Sequence, residues 1–232
     1  MPTYGRKAAL LENSIALFNR QTYPQKKLLI YDDSGILNDL SLANLDNVLL
    51  MTSSTREPDM GSKYNAMLAT AKSYDAVVVW DDDDIYLPNH LEEHAKALSL
   101  GGDSWSKPPT IWSAYFSPPR KEPAAGRFHG SMAISAGLLD EVGGWIPTKR
   151  ATFDQEMLSR LGTVKKPIDT PSTYVYRWQS SGASHCSGGM SHSDWYDRYQ
   201  PDSIDPIHHL YPKLDQDTEN LLGYLAMVSD LS

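Results

Sequence analysis

The sequence predicts an α/β protein with a parallel, helix-flanked sheet, and three observations carry that expectation. Helical and extended patterns alternate through residues 1–100, the extended runs are short and apolar, and two of them end in carboxylates. The stretch that organises the rest is residues 76–88, AVVVWDDDDIYLP. Five apolar residues, three of them valines, suit a strand buried on both faces. Asp81, Asp82, Asp83 and Asp84 follow directly. A strand interior cannot hold unpaired charges, so the run is expected to surface at the strand's C-terminal end, where open α/β sheets place their ligands. Adjacent carboxylates repel by about 1 kcal/mol per close pair unless a cation or hydrogen bonds compensate. Oxygen-only ligation suits Mg²⁺ or Mn²⁺. The plain alternative is a solvated acidic turn.

The elements follow in order. Residues 7–21 place Leu11, Ile15 and Phe18 on one helical face. Residues 26–31 (KKLLIY) read as a strand ending in Asp32 and Asp33, and residues 48–52 as a third short strand. Residues 61–72 form a helix with Tyr64, Met67, Leu68 and Ala71 inward, leading into the strand from Ala76. Pro88 suits the first position of the next helix, through Ser99. A Gly/Ser/Pro-rich break is expected at 101–109, then strands at 110–116 and 127–135 separated by the loop SPPRKEPAAG. Short helices are expected at 136–142, closed by Gly143 and Gly144, and at 153–161, ended by Gly162. Residues 174–178 read as a strand, 179–193 as a Ser/Gly/His-rich loop, and 217–229 as a closing amphipathic helix.

With 232 residues and 41% hydrophobic content, the chain can bury a sizeable core, and one domain over 1–232 is expected. The lone Cys186 excludes an internal disulfide and a cysteine-rich zinc site, pointing to a reducing compartment. No run approaches a membrane span or a signal-peptide core, so a soluble cytoplasmic protein is expected. A net charge of −8 argues against broad attraction to nucleic acid or anionic membrane.

The set MPTYGR, LLIYDDSG, WDDDDIYLP and FDQEMLSRL, in that order, resembles the family 2 glycosyltransferases of the GT-A fold. The resemblance covers roughly residues 1–178. It implies a Rossmann-like, mostly parallel central sheet flanked by helices, with a smaller mixed sheet on the acceptor side. Residues 1–100 would form the nucleotide-sugar half, 101–180 the acceptor half, and 181–232 a C-terminal loop and helix. It also implies a nucleotide-sugar donor, a UDP-sugar first among them, with Mn²⁺ or Mg²⁺.

By the same resemblance, Pro2, Thr3, Tyr4 and Arg6 line the nucleoside wall with Asp33, whose carboxylate would accept a hydrogen bond from the base, and Lys63 or Tyr64 lies near the pocket. Asp81 and Asp83 occupy the DxD positions. Asp83 is assigned to the metal, Asp81 and Asp82 to the ribose or the surroundings of the metal, and His185 to the metal or diphosphate. Asp154 matches the base that deprotonates the acceptor hydroxyl in an inverting transfer; capping its own helix is the alternative. The sequence departs from the family pattern in three places. The family's full first strand before PTY is either truncated or lies upstream of Met1, the usual Glu-Asp pair appears as Phe153-Asp154 with Glu156 beyond, and YVYRW has Tyr174 where processive synthases have Gln. The last departure implies a non-processive enzyme.

Two other classes compete. His90, Glu93 and His94 spell the HxxEH pattern of inverted zinc-protease helices, although with Glu92 and Lys96 they also read as the polar face of a surface helix. A non-catalytic module could bind a nucleotide sugar or glycan through Trp112, Tyr115 and Trp145. For the acceptor, Arg120, Lys121, Arg127, Lys149 and Arg150 fall in two loops of an otherwise acidic chain. They point to a hydroxyl acceptor bearing negative charge, such as a phosphorylated glycan, a teichoic-type polymer or DNA with hydroxylated bases. Scattered solubilising charge is the alternative.

Overall fold

The structure, a computed structural model, describes residues 1–5, 8–37, 46–71, 74–113, 120–150, 152–176 and 205–206. Strand β1 (Pro2–Thr3) leads to helix α1 (Ala8–Asn19), then to strands β2 (Leu28–Asp32) and β3 (Val48–Thr52). These three strands pair in parallel in the order β1-β2-β3, with Thr3 opposite Asp32 and Asp32 opposite Thr52. The C-terminal ends of the three strands therefore lie together, and Asp32, Asp33 and Tyr4 fall at that edge.

Helix α2 (Met60–Ala71) precedes β4 (Ala76–Val78), and β5 (Ile85–Tyr86) leads to helix α3 (His90–Gly101). Strands β6 (Trp105–Lys107), β9 (Ala133–Ser135) and β10 (Ile168–Asp169) join β4 in a mixed sheet ordered β10-β6-β9-β4. A second mixed sheet, ordered β12-β8-β7-β11-β5, collects β7 (Thr110–Ser113), β8 (Arg120–Pro123), β11 (Tyr174–Tyr176) and β12 (Asp205–Pro206) beside β5. Helices α4 (Ala136–Glu141) and α5 (Phe153–Val164) complete the described elements. Among the described residues the expected parallel sheet, mixed sheets and flanking helices are present, but the single smaller mixed sheet is instead two, of four and five strands against three in the parallel sheet.

The period-3.6 patterns locate the cores. Leu11, Ile15 and Phe18 of α1 are buried against Leu28 and Ile30 of β2 and the stacked pair Trp80–Tyr86, whose ring centroids are 3.8 Å apart. A second core gathers Trp105, Met132, Ile134, Leu138, Trp145, Met157 and Leu161 beneath α4 and α5. Each such side chain contributes about 1.5–3 kcal/mol through burial, more for the largest aromatics. The acidic run lies between these two clusters.

Several expectations are corrected. β4 spans only Ala76–Val78, half-buried at the end of its sheet; the fully buried residues are Val79 and Trp80, just beyond it. The acidic run does follow the strand, yet Asp82, Asp83 and Asp84 are buried rather than surfaced. Pro88 lies before the helix, whose N-cap is Asn89. The expected break at 101–109 contains β6, and the SPPRKEPAAG loop contains β8, because partners in the folded sheets override local turn composition. The expected strand at 127–135 is a 3-10 turn, His129–Ser131, followed by the shorter β9. α5 continues through Gly162 to Val164. The expectations for 179–193 and 217–229 lie outside the described residues.

Candidate active site

The acidic run is held by hydrogen bonds to phenols as well as by the chain path. After β4 the Val79 N–H donates to Met132 O at 3.0 Å, and the Asp81 N–H donates to the Tyr86 hydroxyl at 2.7 Å. Tyr64 of α2 donates to Asp81 Oδ1 at 3.3 Å, and Tyr174 of β11 donates a short bond to Asp84 Oδ2. Two phenols thus donate to the carboxylates of Asp81 and Asp84 and a third accepts from the Asp81 backbone, which helps accommodate the run inside the protein. The compensation is incomplete: burial, then the charges of Asp83 and Asp82, push the Asp81 carboxyl up to about 7. Gly130 closes over this corner; a Cβ there would lie 2.3 Å from Asp81 Oδ2.

Among the described residues, no three His, Cys, Asp or Glu side chains are gathered as a finished metal site. The donor set nevertheless fits a hard divalent cation. It is made of carboxylate oxygens whose mutual repulsion a cation would relieve, and such ions keep coordination positions for water and phosphate oxygens. His185, the other residue assigned to the metal, and Arg6 lie outside the described residues.

The residues assigned to the nucleoside wall lie at the C-terminal edge of the parallel sheet. Pro2 and Thr3 are buried in β1, and Tyr4 emerges beside them, half exposed, with the Arg56 guanidinium 4.1 Å from its ring centroid. Asp33 and Lys63 form a buried ion pair, and the Lys63 ammonium also donates to Thr3 O. Asp33 Oδ2 accepts from the Glu57 N–H at 2.8 Å, and Tyr31 donates to Glu57 Oε1 at 2.7 Å. Both Asp33 oxygens therefore already have protein donors, and a base would share one of them. Asp32, by contrast, is spent on the local turn, accepting from Ser34 N–H and Oγ and from Leu37 N–H.

Asp154 opens α5, one residue after Phe153, where the helix dipole favours negative charge. Its own Oδ1 accepts from the Gln155 N–H at 2.8 Å, while Thr152 occupies the cap position without a side-chain cap bond. Burial raises the Asp154 carboxyl above its ordinary value, against the pull of these backbone bonds and of Lys107. Tyr64 links the two carboxylate centres. Its phenol is pushed well up by burial, then by Asp81 and Asp154. Its ring stacks on Trp145 at 4.7 Å and lies edge-on to His129 at 5.3 Å.

The rival signals dissolve in three dimensions. His90 and His94 are completely buried, 4.6 Å apart edge to face, bonded to Thr173 Oγ1 at 2.9 Å and Ser106 Oγ at 2.7 Å. Burial holds His90 well below the ordinary imidazole range and His94 down to about 3. Glu93 turns outward to Lys96 at 3.1 Å, so the three residues cannot share a zinc ion, and the histidines are core rather than surface residues. Trp112 and Trp145 are buried packing residues and offer no aromatic platform for a glycan. Tyr115 lies outside the described residues. Of the basic residues, Arg127 reaches Glu122 at 3.4 Å and Lys121 covers the Trp112 ring at 4.8 Å, while Lys149 and Arg150 are exposed.

Sequence reasoning passed over Lys107, His129, Gly130 and Ser131, of which Gly130 borders Asp81, His129 packs on Phe153 and Lys107 bonds Ser131. No motif announces them, because a turn and a strand end meet there only on folding.

Carboxylates at the C-terminal edge of a parallel sheet, an acidic run after a strand and a helix-borne carboxylate on the mixed-sheet side are the arrangement of a GT-A fold. The Glycosyl transferase family 2 profile matches residues 1–153, and the chain belongs to that family. Among solved structures, the mannosyltransferase PcManGT from Pyrobaculum calidifontis, in complex with GDP-Man and Mn²⁺, is similar at 18% identity and a TM-score of 0.58, over 78% of this chain and 56% of that one. S. aureus TarS residues 1–349 align at 16% identity and a TM-score of 0.60, over 76% of this chain and 58% of that one. The same TarS fragment with UDP gives 16% and 0.57, over 77% and 59%. The chain therefore spans less than two thirds of these neighbours' length. No curated protein matches the sequence. No helix among the described residues is long and apolar enough to cross a membrane.

Proposed function

We propose that the chain is an inverting, metal-dependent glycosyltransferase that moves a sugar from a nucleotide-sugar donor, a UDP-sugar first, to an acceptor hydroxyl. The observation that carries this reading is the Tyr64 side chain, whose hydroxyl bonds Asp81 and whose ring lies 6.0 Å from that of Phe153, the residue before Asp154. Family membership supports transfer from a nucleotide sugar, and the neighbours recorded with GDP-Man and Mn²⁺ or with UDP support the donor and cation classes.

In this reading Tyr4, Pro2, Thr3, Arg6, Asp33 and Lys63 receive the nucleoside, and Asp81 and Asp82 orient the ribose and the neighbouring carboxylates. Asp83, with His185, would hold Mn²⁺ or Mg²⁺, which when bound neutralises the charge of the departing diphosphate. Asp154 accepts the proton of the acceptor hydroxyl. The acceptor oxygen forms its bond to the anomeric carbon as the bond from that carbon to the diphosphate oxygen breaks, with inversion. A carboxyl raised by burial, as Asp154 is, is a stronger base than one in water. The exposed Lys149 and Arg150 support an acceptor carrying negative charge, whether a phosphorylated glycan or modified DNA.

Calorimetric titration of UDP and GDP with Mn²⁺, with Mg²⁺ and with chelator tests the donor site. Metal-dependent binding that disappears in Asp83→Ala is expected, and no binding of either nucleotide under any condition would overturn the reading.

A further inference from the structure

Lys107 ends β6 with its ammonium inside the protein. It is 4% exposed and donates to Phe128 O at 2.9 Å and to Ser131 Oγ at 2.5 Å. Ser131 Oγ donates in turn to the same Phe128 carbonyl at 2.7 Å. Phe128 has φ of 55°, and it is the only non-glycine among the described residues in the left-handed region. Such a conformation persists only where its surroundings over-determine it, and the donors converging on its carbonyl do so.

The turn fixed in this way forms two walls. Gly130 lies against the Asp81 carboxylate and the Tyr174 ring. His129 accepts from Trp145 Nε1 at 2.8 Å and packs edge-on at 5.9 Å against Phe153, the residue before Asp154. One buried cation thus ties together the parts that border Asp81 and Asp154.

We propose that Lys107 is a positioning residue for the transfer, clamping the 128–131 turn between the acidic run and the start of α5. This rests on the reading of Asp154 as the base. Burial, then Arg127, bring Lys107 down to about 7, against the opposing pull of Asp154.

The test uses the full chain and follows release of UDP from a panel of UDP-sugars with Mn²⁺, water serving as acceptor. Release should fall at least tenfold in Lys107→Met while the Kd for UDP stays within about twofold, and it should recover to within about twofold of wild type in Lys107→Arg. If Lys107→Met does not accumulate folded, Lys107→Gln carries the same expectations. Undiminished release in a folded neutral variant would overturn the proposal, because a merely structural lysine would lower stability and leave turnover of the folded protein alone. Asp154→Asn with undiminished UDP release would instead refute the base, and the positioning role would fall with it.

Discussion

The Tyr64 hydroxyl donates to Asp81 Oδ1 at 3.3 Å while its ring lies stacked on Trp145, so one side chain of α2 spans the acidic run and the second core. The stacking fixes the ring, and the hydroxyl alone makes the polar contact. Tyr64→Phe should therefore cost only about 1 kcal/mol of stability. Its effect on the site is larger in kind. The bond to Tyr64 favours ionised Asp81, so its loss moves the Asp81 carboxyl further up, and metal-dependent UDP affinity near neutral pH should fall several-fold. Titrations of both proteins at pH 7 and pH 8.5 check this: the deficit should shrink at the higher pH.

Asp154→Asn keeps the Gln155 N–H bond within reach of the amide oxygen and removes only the basic oxygen. Turnover should drop by about a hundredfold or more with UDP affinity largely unchanged. A parallel loss of both would show that the carboxylate serves the helix or the donor site instead.

How much of this was legible in the sequence follows from where the information sits. The places of the acidic run, Asp33 and Asp154 beside a strand end or helix start were readable because the apolar patterns next to them are local, while the roles assigned to them came from the family resemblance. The strand β3 was readable for the same reason, since VLLMT is a nearly continuous apolar run ending in Thr52. β6 and β8 were not, because Trp105–Lys107 and Arg120–Pro123 sit among prolines and become strands only by pairing with β9 and β7. The burial of Lys63 and Lys107 was hidden for a related cause. Their partners, Asp33 for one and Phe128 and Ser131 for the other, come from distant parts of the chain.

The buried imidazoles make the fold acid-sensitive. His94 and His129 have folded-state values of about 3, lowered by burial and then by Lys107, against an ordinary value of 6.5. Between those limits the unfolded chain binds protons that the folded chain does not, so stability is full above pH 6.5 and is lost as pH falls toward 3. Thermal melts from pH 7.5 to pH 4 should show a steady decline beginning near pH 6.5. His94→Asn should flatten that slope by about one proton's worth, at the cost of some stability at pH 7.5.

Two glycines separate the demands of the site from those of the helix. At Gly130 a methyl group would meet Asp81 Oδ2 at 2.3 Å and the Tyr174 ring at 3.1 Å, so the carboxylate or the turn must shift. Gly130→Ala is expected to destabilise by about 1–3 kcal/mol and to weaken metal-dependent UDP binding at least tenfold. Gly162 lies inside α5, where a Cβ would meet nothing within 4 Å. Replacing it with alanine removes only the backbone freedom that a helical glycine must surrender, and the protein should gain about 0.5–1 kcal/mol. Melts and UDP titrations of both variants decide the matter. If Gly162→Ala lowers stability, α5 ends before Gly162, as the local sequence alone suggests. If Gly130→Ala binds UDP like wild type, the 128–131 turn does not wall the donor site.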